Sequence, residues 1–378
     1  MRHSKKHRLG ELVEILSGFA FDSEKFGDSG DMPIVRIRDV IRGHSSTFYN
    51  GEFDKKYVLR DGDMLIGMDG EFNLAKWQGG PAVLNQRVCR ISASSGILDD
   101  GYLFRFLPSA LKAIENVTPF VTVKHLSVKT IRDIEIPLPP LAEQRRIAEV
   151  LDKAEALRAK RRAALAQLDS LTQSLFLDLF GDPVANPKGW PSVKFGSIGT
   201  LDRGVSKHRP RNDPKLLDGP YPLVQTGEVS NCGGYITEYE QTYSELGLCQ
   251  SKMWPIGTLC ITIAANIAKT GILTFRACFP DSVVGFNSQE AATVEFIRVW
   301  LSFLQKTLEE NAPESAQKNI NLAILRNLDV PLPPIDLQRE FARRITAVEK
   351  LKTAQRAALA ELDALFASLQ HRAFRGEL

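Results

Sequence analysis

Residues able to carry out covalent chemistry are sparse in this sequence and do not form a catalytic pattern. The six histidines and five cysteines show no metal-ligand spacing. The phosphate-binding pattern G-x-x-x-x-G-K-[ST], the pattern G-x-G-x-x-G after a strand, and the patterns G-x-S-x-G and H-E-x-x-H are all absent. The Asn-Pro-Pro-aromatic motif of amino-methyltransferases is absent as well. We therefore predict a binding and assembly protein rather than an enzyme.

The most informative feature of the sequence is a segment that occurs twice. Pro137-Leu138-Pro139-Pro140 opens the first copy, and Pro331-Leu332-Pro333-Pro334 opens the second. Residues 137–180 align without a gap against residues 331–374, and both copies contain the run Arg-Ala-Ala-Leu-Ala. Such a repeat predicts a duplicated architecture.

Each copy is predicted to form one long helix. Proline is tolerated at the first helical position, so Pro140 and Pro334 are expected to mark the helix starts. Good helix formers follow, and Gly181 and Pro183 form a stop signal after the first helix. About 40 residues at about 1.5 Å each correspond to roughly 60 Å.

The apolar residues in both helices alternate at spacings of four and three, which predicts a coiled-coil seam. The predicted seam positions are Val150, Ala154, Leu157, Arg161, Ala164, Leu168, Leu171 and Leu175 in the first helix, and Val348, Leu351, Gln355, Ala358, Leu362, Leu365 and Leu369 in the second. Arg161 and Gln355 interrupt both seams at equivalent positions, as a solvated gap or as a polar layer that fixes the register. A pseudo-twofold within the chain predicts an antiparallel pair.

The remaining sequence forms two globular blocks of mixed α/β (α+β) class. The predicted organisation is a first block at residues 1–140, a helix at 141–181, a second block at 182–334, and a second helix at 335–378. Predicted strands include Ile34–Val40 and Leu84–Ile91, and Tyr221–Gly227 occupies the place of Ile34–Val40 in the second block. Predicted helices run from Tyr102 to Glu115 and from Phe296 to Leu308.

Composition limits the cellular environments in which the protein could work but does not identify a binding partner. The 378 residues carry a net charge of only +3, and acidic and basic groups are nearly balanced in every region. DNA binding would therefore require the fold to sort basic groups onto one face. No apolar run approaches the roughly 20 residues of a membrane span, and no secretion signal is visible. The cysteines are expected to be reduced thiols in a cytoplasmic protein.

Several motifs together resemble the specificity (S) subunit of type I restriction-modification systems, and the likeness covers essentially the whole chain. The segments that carry it are Pro-Leu-Pro-Pro-Leu-Ala-Glu-Gln-Arg-Arg-Ile at 137–147, Pro-Leu-Pro-Pro-Ile-Asp-Leu-Gln-Arg-Glu-Phe at 331–341, Leu-Phe-Gly-Asp-Pro at 179–183, Ala-Phe-Arg-Gly-Glu-Leu at 373–378, Ser-Gly-Phe-Ala-Phe at 17–21 and Leu-Asn-Gln-Arg-Val at 84–88. The second copy departs from the first at Asp336-Leu337 and Glu340, which bears on whether both ends bind a partner equally.

The resemblance implies two target recognition domains, each of which reads half of a bipartite, asymmetric DNA site. It implies that the helices act as a spacer and dock two methyltransferase (modification) subunits, and that restriction (motor and nuclease) subunits join this core. It also implies that this chain is non-catalytic and holds no cofactor, so that S-adenosylmethionine, ATP and Mg²⁺ belong to the partner subunits. Independently, two divergent blocks on a repeated frame suit a non-palindromic site, because a twofold protein normally reads a palindrome.

Candidate DNA-binding residues are those with side chains suited to base edges or phosphates. In the first block they are Arg36, Arg38, Lys76, Lys124 and His125, and in the second they are Lys207, Gln225, Thr226, Lys269, Lys318 and Asn319. Asn85, Gln86 and Arg87 are equally consistent with a structural role. Candidate subunit-interface residues, at matched positions on the predicted exposed helix faces, are Arg145, Glu155, Arg162, Arg339, Glu349 and Arg356.

Two other interpretations stay open from the sequence. One is a non-catalytic coiled-coil scaffold that holds two protein-binding domains, which the near-neutral charge favours. The other is a self-contained nuclease or methyltransferase, for which Asp213-Pro214-Lys215 offers only a fragment of an acidic-basic site. The salt dependence of DNA affinity distinguishes the first interpretation, and an assay of the chain alone with Mg²⁺ or S-adenosylmethionine distinguishes the second.

Overall fold

The computed structural model describes residues 5–94, 96–118, 124–264, 267–310 and 320–378. The chain divides into two compact units. The first unit comprises Met1–Arg162 and Ala357–Leu378, and the second comprises Ala163–Arg356. Each unit therefore contains one globular block together with parts of both long helices.

The globular block of the first unit is built from eleven strands and three helices in the described residues. The strands are β1 (Lys6–Arg8), β2 (Val13–Ser17), β3 (Phe26–Gly27), β4 (Met32–Val35), β5 (Phe48–Tyr49), β6 (Val58–Leu59), β7 (Met64–Gly67), β8 (Leu74–Lys76), β9 (Ala82–Leu84), β10 (Val88–Ala93) and β11 (Glu135–Pro137). The helices are α1 (Ile37–Arg42), α2 (Asp100–Val117) and α3 (Val128–Arg132). The sheets run β2-β10-β7-β8, β3-β5-β4-β9-β6 and β1-β11.

The first long helix is α4 (Leu141–Phe180), and the block of the second unit follows it. Its strands are β12 (Ser192–Lys194), β13 (Thr200–Arg203), β14 (Leu217–Leu223), β15 (Tyr235–Ile236), β16 (Gln241–Tyr243), β17 (Met253–Trp254), β18 (Leu259–Thr262), β19 (Thr270–Leu273), β20 (Ala277–Cys278), β21 (Val283–Asn287) and β22 (Asp329–Pro331). Its helices are α5 (Thr226–Asn231), α6 (Glu245–Cys249), α7 (Ala291–Glu310) and α8 (Leu322–Asn327), and the second long helix is α9 (Ile335–Ala373). The sheets run β13-β21-β18-β19-β15, β16-β14-β20-β17 and β12-β22.

The mixed fold class is confirmed, and two predicted strands are partly wrong. β4 ends at Val35 and β14 ends at Leu223, and a short helix follows each strand. The cause is local: the carboxylates of Asp39 and Glu228 accept hydrogen bonds from the backbone amides of Arg36 and Gln225, at 3.0 and 3.1 Å. These capping bonds stabilise a helix start that the apolar alternation does not reveal.

The predicted strand Leu84–Ile91 is also interrupted. β9 ends at Leu84 and β10 begins at Val88, and the turn between them places Arg87 in the left-handed region at φ 71°. A non-glycine residue in this conformation is uncommon and indicates a constrained turn. The two predicted block helices, by contrast, are present as α2 and α7.

A buried glutamine fastens the start of each long helix to its block. Gln144 donates to the carbonyls of Pro139 and Ile97 at 2.9 and 3.0 Å and accepts from the Asp99 amide at 2.9 Å. Its counterpart Gln338 donates to the carbonyl of Pro333 and accepts from the Thr293 hydroxyl, both at 2.8 Å. Because a buried amide requires its hydrogen bonds, each glutamine ties the proline turn to the helix start and the adjacent block segment.

The antiparallel helix pairing is confirmed within each unit. In the first unit, Arg146 of α4 donates to the carbonyl of Leu378 beyond α9, and Arg158 lies 2.6 Å from Asp363. In the second unit, Phe180 contacts Phe341, and Lys352 lies 2.8 Å from Asp169. In both units, the residue numbers along the second long helix decrease as those along the first increase, as an antiparallel pair requires.

The predicted seam is wrong at four leucines. Leu157, Leu171, Leu351 and Leu365 are 51%, 41%, 55% and 50% exposed. Arg158 and Lys352 enter the contact instead, with side chains only 17% and 4% exposed. The guanidinium of Arg158 lies 4.4 Å from the Phe366 ring centroid and pairs with Asp363. A long cationic side chain can pack its stem in an interface when its charge is paired, which a purely apolar pattern does not detect.

Substitution of Lys352 tests this corrected seam. Lys352→Ala removes the cation between Asp169 and Glu349, and we expect it to lower the free energy of unfolding by about 1–3 kcal/mol because charged partners lose their hydrogen bonds. Urea unfolding followed by far-UV circular dichroism measures the change. Lys350→Ala, an exposed neighbour on the same helix, is the control and should stay within about 0.5 kcal/mol. A larger loss for Leu351→Ala than for Lys352→Ala would restore the leucine seam.

Candidate nucleic-acid interface

One predicted recognition residue of each unit, Arg36 or Gln225, occupies an equivalent position. Arg36 follows β4 and caps α1, and Gln225 follows β14 and caps α5. In each unit this strand pairs in parallel with another strand, β9 or β20. Ligand-binding groups often gather at the carboxyl ends of parallel strands, so the same edge of each unit is the candidate site.

In the first unit, this edge brings Arg36 and Arg38 together. Both guanidinium groups donate to the hydroxyl of Thr47, at 2.6 and 3.2 Å. Arg38 also lies 3.7 Å from Asp39, which is 1% exposed. Burial raises the pKa of the Asp39 carboxyl, and the neighbouring Arg38 opposes that rise. Arg38 keeps about half of its side chain exposed at 52%, so it can reach a phosphate or a base edge.

A second cluster in the first unit joins His125 to Arg87, for which the sequence left DNA contact and a structural role equally open, and to Asp69, which the sequence did not single out. The imidazole Nδ1 of His125 lies 2.6 Å from Asp69, and Arg87 lies 3.5 Å from the same carboxylate. Arg87 and His125 are 3.4 Å apart, and each keeps roughly half of its side chain exposed. The exposed Gln86 precedes Arg87 in the same turn. The turn therefore presents amide and cationic groups together.

The two lysines predicted in the first unit are held elsewhere. The ammonium of Lys124 donates to the backbone carbonyl of Glu115 at 2.6 Å, and that of Lys76 lies 5.0 Å from the Phe104 ring centroid. Both contacts involve α2. In the described residues, neither lysine side chain forms a hydrogen bond or ion pair with the side chain of Arg36 or His125, although Lys124 precedes His125 in the chain. Their role in DNA binding stays a prediction.

Of the residues predicted in the second unit, Gln225 and Thr226 lie at the edge equivalent to that of Arg36. Gln225 donates to Gln241 at 2.7 Å, and Thr226 begins α5. The backbone amide of Lys207 donates to Gln250 at 2.7 Å, which leaves its side chain exposed. The amide of Lys269 donates to the Thr262 hydroxyl at 3.1 Å. The predicted residues Lys318 and Asn319 lie outside the described residues.

In the basic loop between β13 and β14, sequence reasoning singled out Lys207 but missed the neighbouring arginines. Arg209 and Arg211 both pair with the carboxylate of Asp281, and Arg203 donates to the Asp281 backbone carbonyl at 2.6 and 2.9 Å. Next to them, His208 lies 3.0 Å from Asp213. Hydrogen bonds from the backbone amide of Lys215 and then from His208 lower the pKa of the Asp213 carboxyl. The density of basic residues between positions 203 and 215 was the available signal.

A shared backbone bond shows that these loops correspond between units. The amide of Gly18 donates to the carbonyl of Val88 at 2.9 Å, and the amide of Gly204 donates to that of Val283 at 2.8 Å. The turn that carries Gln86 and Arg87 in the first unit is thus equivalent to the turn that carries Asp281 in the second. Both units present cationic groups at this position, Arg87 in the first and Arg209 and Arg211 in the second, and such groups are suited to phosphates.

The six predicted subunit-interface residues have different surroundings. Arg145 lies 3.7 Å from Asp99, and Arg339 lies 2.9 Å from Glu290. Both remain exposed, as predicted.

The other four predicted interface residues lie further along the two long helices. They are Glu155, Glu349, Arg162 and Arg356. Glu155 accepts from Arg158 and Arg162, and Glu349 accepts from Lys352 at 3.0 Å. Glu349 is a correction to the predicted exposed face, because its side chain is only 12% exposed in contact with the seam cation. Arg356 is exposed and lines, with Glu349, a cleft of about 960 Å³ in the second unit.

The described residues contain no cluster of side chains able to hold a metal ion. Within the described ranges of the chain, no group of three or more His, Cys, Asp or Glu residues is placed to hold a metal ion. Burial raises the pKa of the Cys89 thiol to about 12, which makes it a poor nucleophile. None of the helices in the described part of the chain is long and apolar enough to span a membrane.

Comparison with known proteins gives one consistent match. The family model described as the type I restriction modification DNA specificity domain matches residues 1–167 and 187–362. The specificity subunit of the Escherichia coli type I restriction enzyme EcoBI is 31% identical over 98% of this chain and 85% of its own length. The MjaVIII specificity subunit of Methanocaldococcus jannaschii is 23% identical over 91% of this chain and 85% of its own length.

Two solved structures show the same fold. The S subunit of a type I restriction-modification system from M. genitalium superposes with a TM-score of 0.59 at 16% identity, over 98% of this chain and 96% of its own. A chain from a structural study of the assembly and conformational transition of a type I R-M system gives a TM-score of 0.53 at 20% identity, over 100% and 99%.

Substitution of the basic loop tests whether the second unit contacts phosphates. We expect Arg209→Gln combined with Arg211→Gln to weaken binding to every duplex, whatever its sequence. The slope of log affinity against log salt should fall by about one for each phosphate that the variant no longer neutralises. Fluorescence anisotropy over a salt series measures it. The control is Lys194→Gln, because Lys194 is an exposed lysine that pairs with Asp329 on the separate β12-β22 sheet. An unchanged slope in the double variant would remove this loop from the interface.

Proposed function

This chain belongs to the family of type I restriction-modification DNA specificity subunits, and we propose that each of its units reads one half of a bipartite, asymmetric duplex. The chain itself is the sequence-recognition component. Methylation and ATP-dependent cleavage, with S-adenosylmethionine, ATP and Mg²⁺, are assigned to partner subunits in the cytoplasm.

The observation that carries this proposal is one recognition edge built twice with different side chains. Arg36 and Gln225 occupy the same capping position, but one is a guanidinium and the other an amide. Arginine suits guanine and glutamine suits adenine in the major groove. Because the backbone geometry is equivalent but the side chains differ, we expect the two units to read two different half-sites. The long helices serve as the spacer between them.

We propose that partner chains bind at the exposed leucines of the long helices. Leu157 and Leu365 belong to the first unit, and Leu171 and Leu351 belong to the second. Each lies on a long helix and is adjacent to, or two residues from, a charged seam residue. These leucines are available to a partner because the helix pair makes its own contact without them. We assign one modification subunit to each leucine pair, together with Arg145 and Arg162, or Arg339 and Arg356. Restriction subunits then join this assembly.

The scaffold interpretation makes a different prediction for DNA. A protein-binding scaffold has no reason to lose DNA affinity steeply with salt, whereas phosphate neutralisation requires it. The paired basic residues at both edges, Arg36 with Arg38 and Arg209 with Arg211, favour DNA recognition over that alternative.

Single substitutions at the two edges test whether each unit reads its own half-site. We expect Arg38→Ala to cost about 1–3 kcal/mol on one half-site and Gln225→Ala to cost a similar amount on the other. Competition binding against duplexes with single base-pair changes measures both losses. Each variant is the control for the other, because each should leave the preference at the opposite half-site unchanged. If both variants weaken the same half-site, the assignment of one unit to one half-site is wrong.

Charged substitutions at the leucine pairs test partner docking. We expect Leu157→Glu with Leu365→Glu to remove one of two bound modification subunits, and Leu171→Glu with Leu351→Glu to remove the other. Native mass spectrometry of the complex measures the stoichiometry. Because these leucines are about half exposed, circular dichroism should show an intact fold. Two bound subunits in the variant with all four changes would exclude this surface.

A further inference from the structure

Phe19 is a large aromatic residue left on the surface of the first unit. Its side chain is 50% exposed, whereas its neighbours Phe21 and Tyr49 are 6% and 5% exposed. Phe21 and Tyr57 support the ring from behind, with centroids 5.2 and 5.4 Å away. The local core is therefore complete without the outer face of Phe19.

The backbone holds this ring in a fixed position. The amide of Phe19 donates to the Leu84 carbonyl at 3.0 Å, and its carbonyl accepts from the Gln86 amide at 2.8 Å. The preceding Gly18 packs so closely that an added Cβ would lie 1.9 Å from the carbonyl oxygen of Asn85. Such a close approach leaves no room for a side chain, so the turn presents Phe19 rigidly.

Polar and cationic groups lie next to the aromatic residues that carry Phe19. Its backbone partner Gln86 is exposed and is followed by Arg87, which contacts Asp69 and His125. The ammonium of Lys56 lies 5.0 Å from the ring centroid of Tyr57, which itself contacts Phe19. A rigid aromatic ring among amide and cationic groups is typical of a nucleic-acid contact. A protein-docking site would instead continue as an apolar patch.

The neighbours of the ring suggest which part of the duplex it touches. Gln86 and Arg87 have the side chains that read base edges in the major groove, where the only apolar group is the C5 methyl of thymine. We propose that Phe19 contacts the C5 methyl of a thymine within the half-site read by the first unit. This inference rests on the proposed DNA-reading function and adds a specific base to it.

The second unit has no aromatic residue at the position equivalent to Phe19. The residue after the equivalent glycine, Gly204, is Val205, which is only partly exposed. The thymine contact therefore belongs to one half-site, and Val205→Ala provides a matched control for substitution of Phe19.

Removal of a single methyl group from the DNA tests the proposal. The recognition sequence is first selected from randomised duplexes with the full chain and its modification partner. Each thymine of the half-site assigned to the first unit is then replaced by uracil, which removes only the methyl group. With the natural chain, we expect one replacement to weaken binding roughly three- to fivefold, the effect of removing one buried apolar carbon.

The same replacement in Phe19→Ala completes the comparison. This variant should bind the thymine and uracil duplexes equally, whereas Val205→Ala should retain the natural difference. Phe19→Leu keeps an apolar side chain and should retain part of it, which guards against a loss caused by misfolding. The proposal is overturned if no thymine replacement matters, if the half-site contains no thymine, or if Phe19→Ala still distinguishes the two duplexes. Failure to select any sequence would instead refute the proposed function.

Discussion

One buried side-chain amide at the head of each long helix determines how the rest of each unit is held together. Gln144 and Gln338 are 1% and 3% exposed, and their hydrogen bonds join the proline turn, the helix start and the block in each unit. Leaving such a group unpaired costs about 1–3 kcal/mol, so the three segments keep one arrangement. The recognition edge is thereby fixed relative to the helix within its own unit.

The two units share this frame and differ in their edges. The capping bonds of Asp39 and Glu228 are the same in both, and so are the glycine hydrogen bonds that position the neighbouring turn. Differences are concentrated in the side chains that the frame presents: Arg36 against Gln225, and Phe19 against Val205. A protein can read two unrelated half-sites in this way without changing how either reader is built.

The sequence was informative where one local pattern decides the structure. The repeat and the proline and glycine punctuation indicated the long helices correctly: α4 begins after Pro140 and ends before Gly181, which takes φ 81°. The seam was predicted less well, because an apolar pattern favours Leu157 and Leu351 over the adjacent Arg158 and Lys352. Only the position of Asp363 and Asp169 in space explains why cations occupy the helix interface.

For the candidate recognition residues, the sequence predicts the residue types but not which side chains lie next to one another in space. The sequence predicts Arg36 and Arg38 within one strand, whereas the structure places both after that strand, where they share Thr47. The cluster around Asp69 joins residues from three separate turns, and no local pattern connects them.

The charged seam also limits how the two halves of the chain can evolve. Arg158 comes from the first repeat and its partner Asp363 from the second, while Lys352 and Asp169 exchange these origins. Mutational drift in one repeat therefore changes a residue on which the other repeat relies, and it requires a compensating change there. The contacts described at each recognition edge join residues of the same block, so a change there requires no compensating change in the other repeat. The coupling between the helices favours retention of a cation and a carboxylate at these matched positions of the two helices.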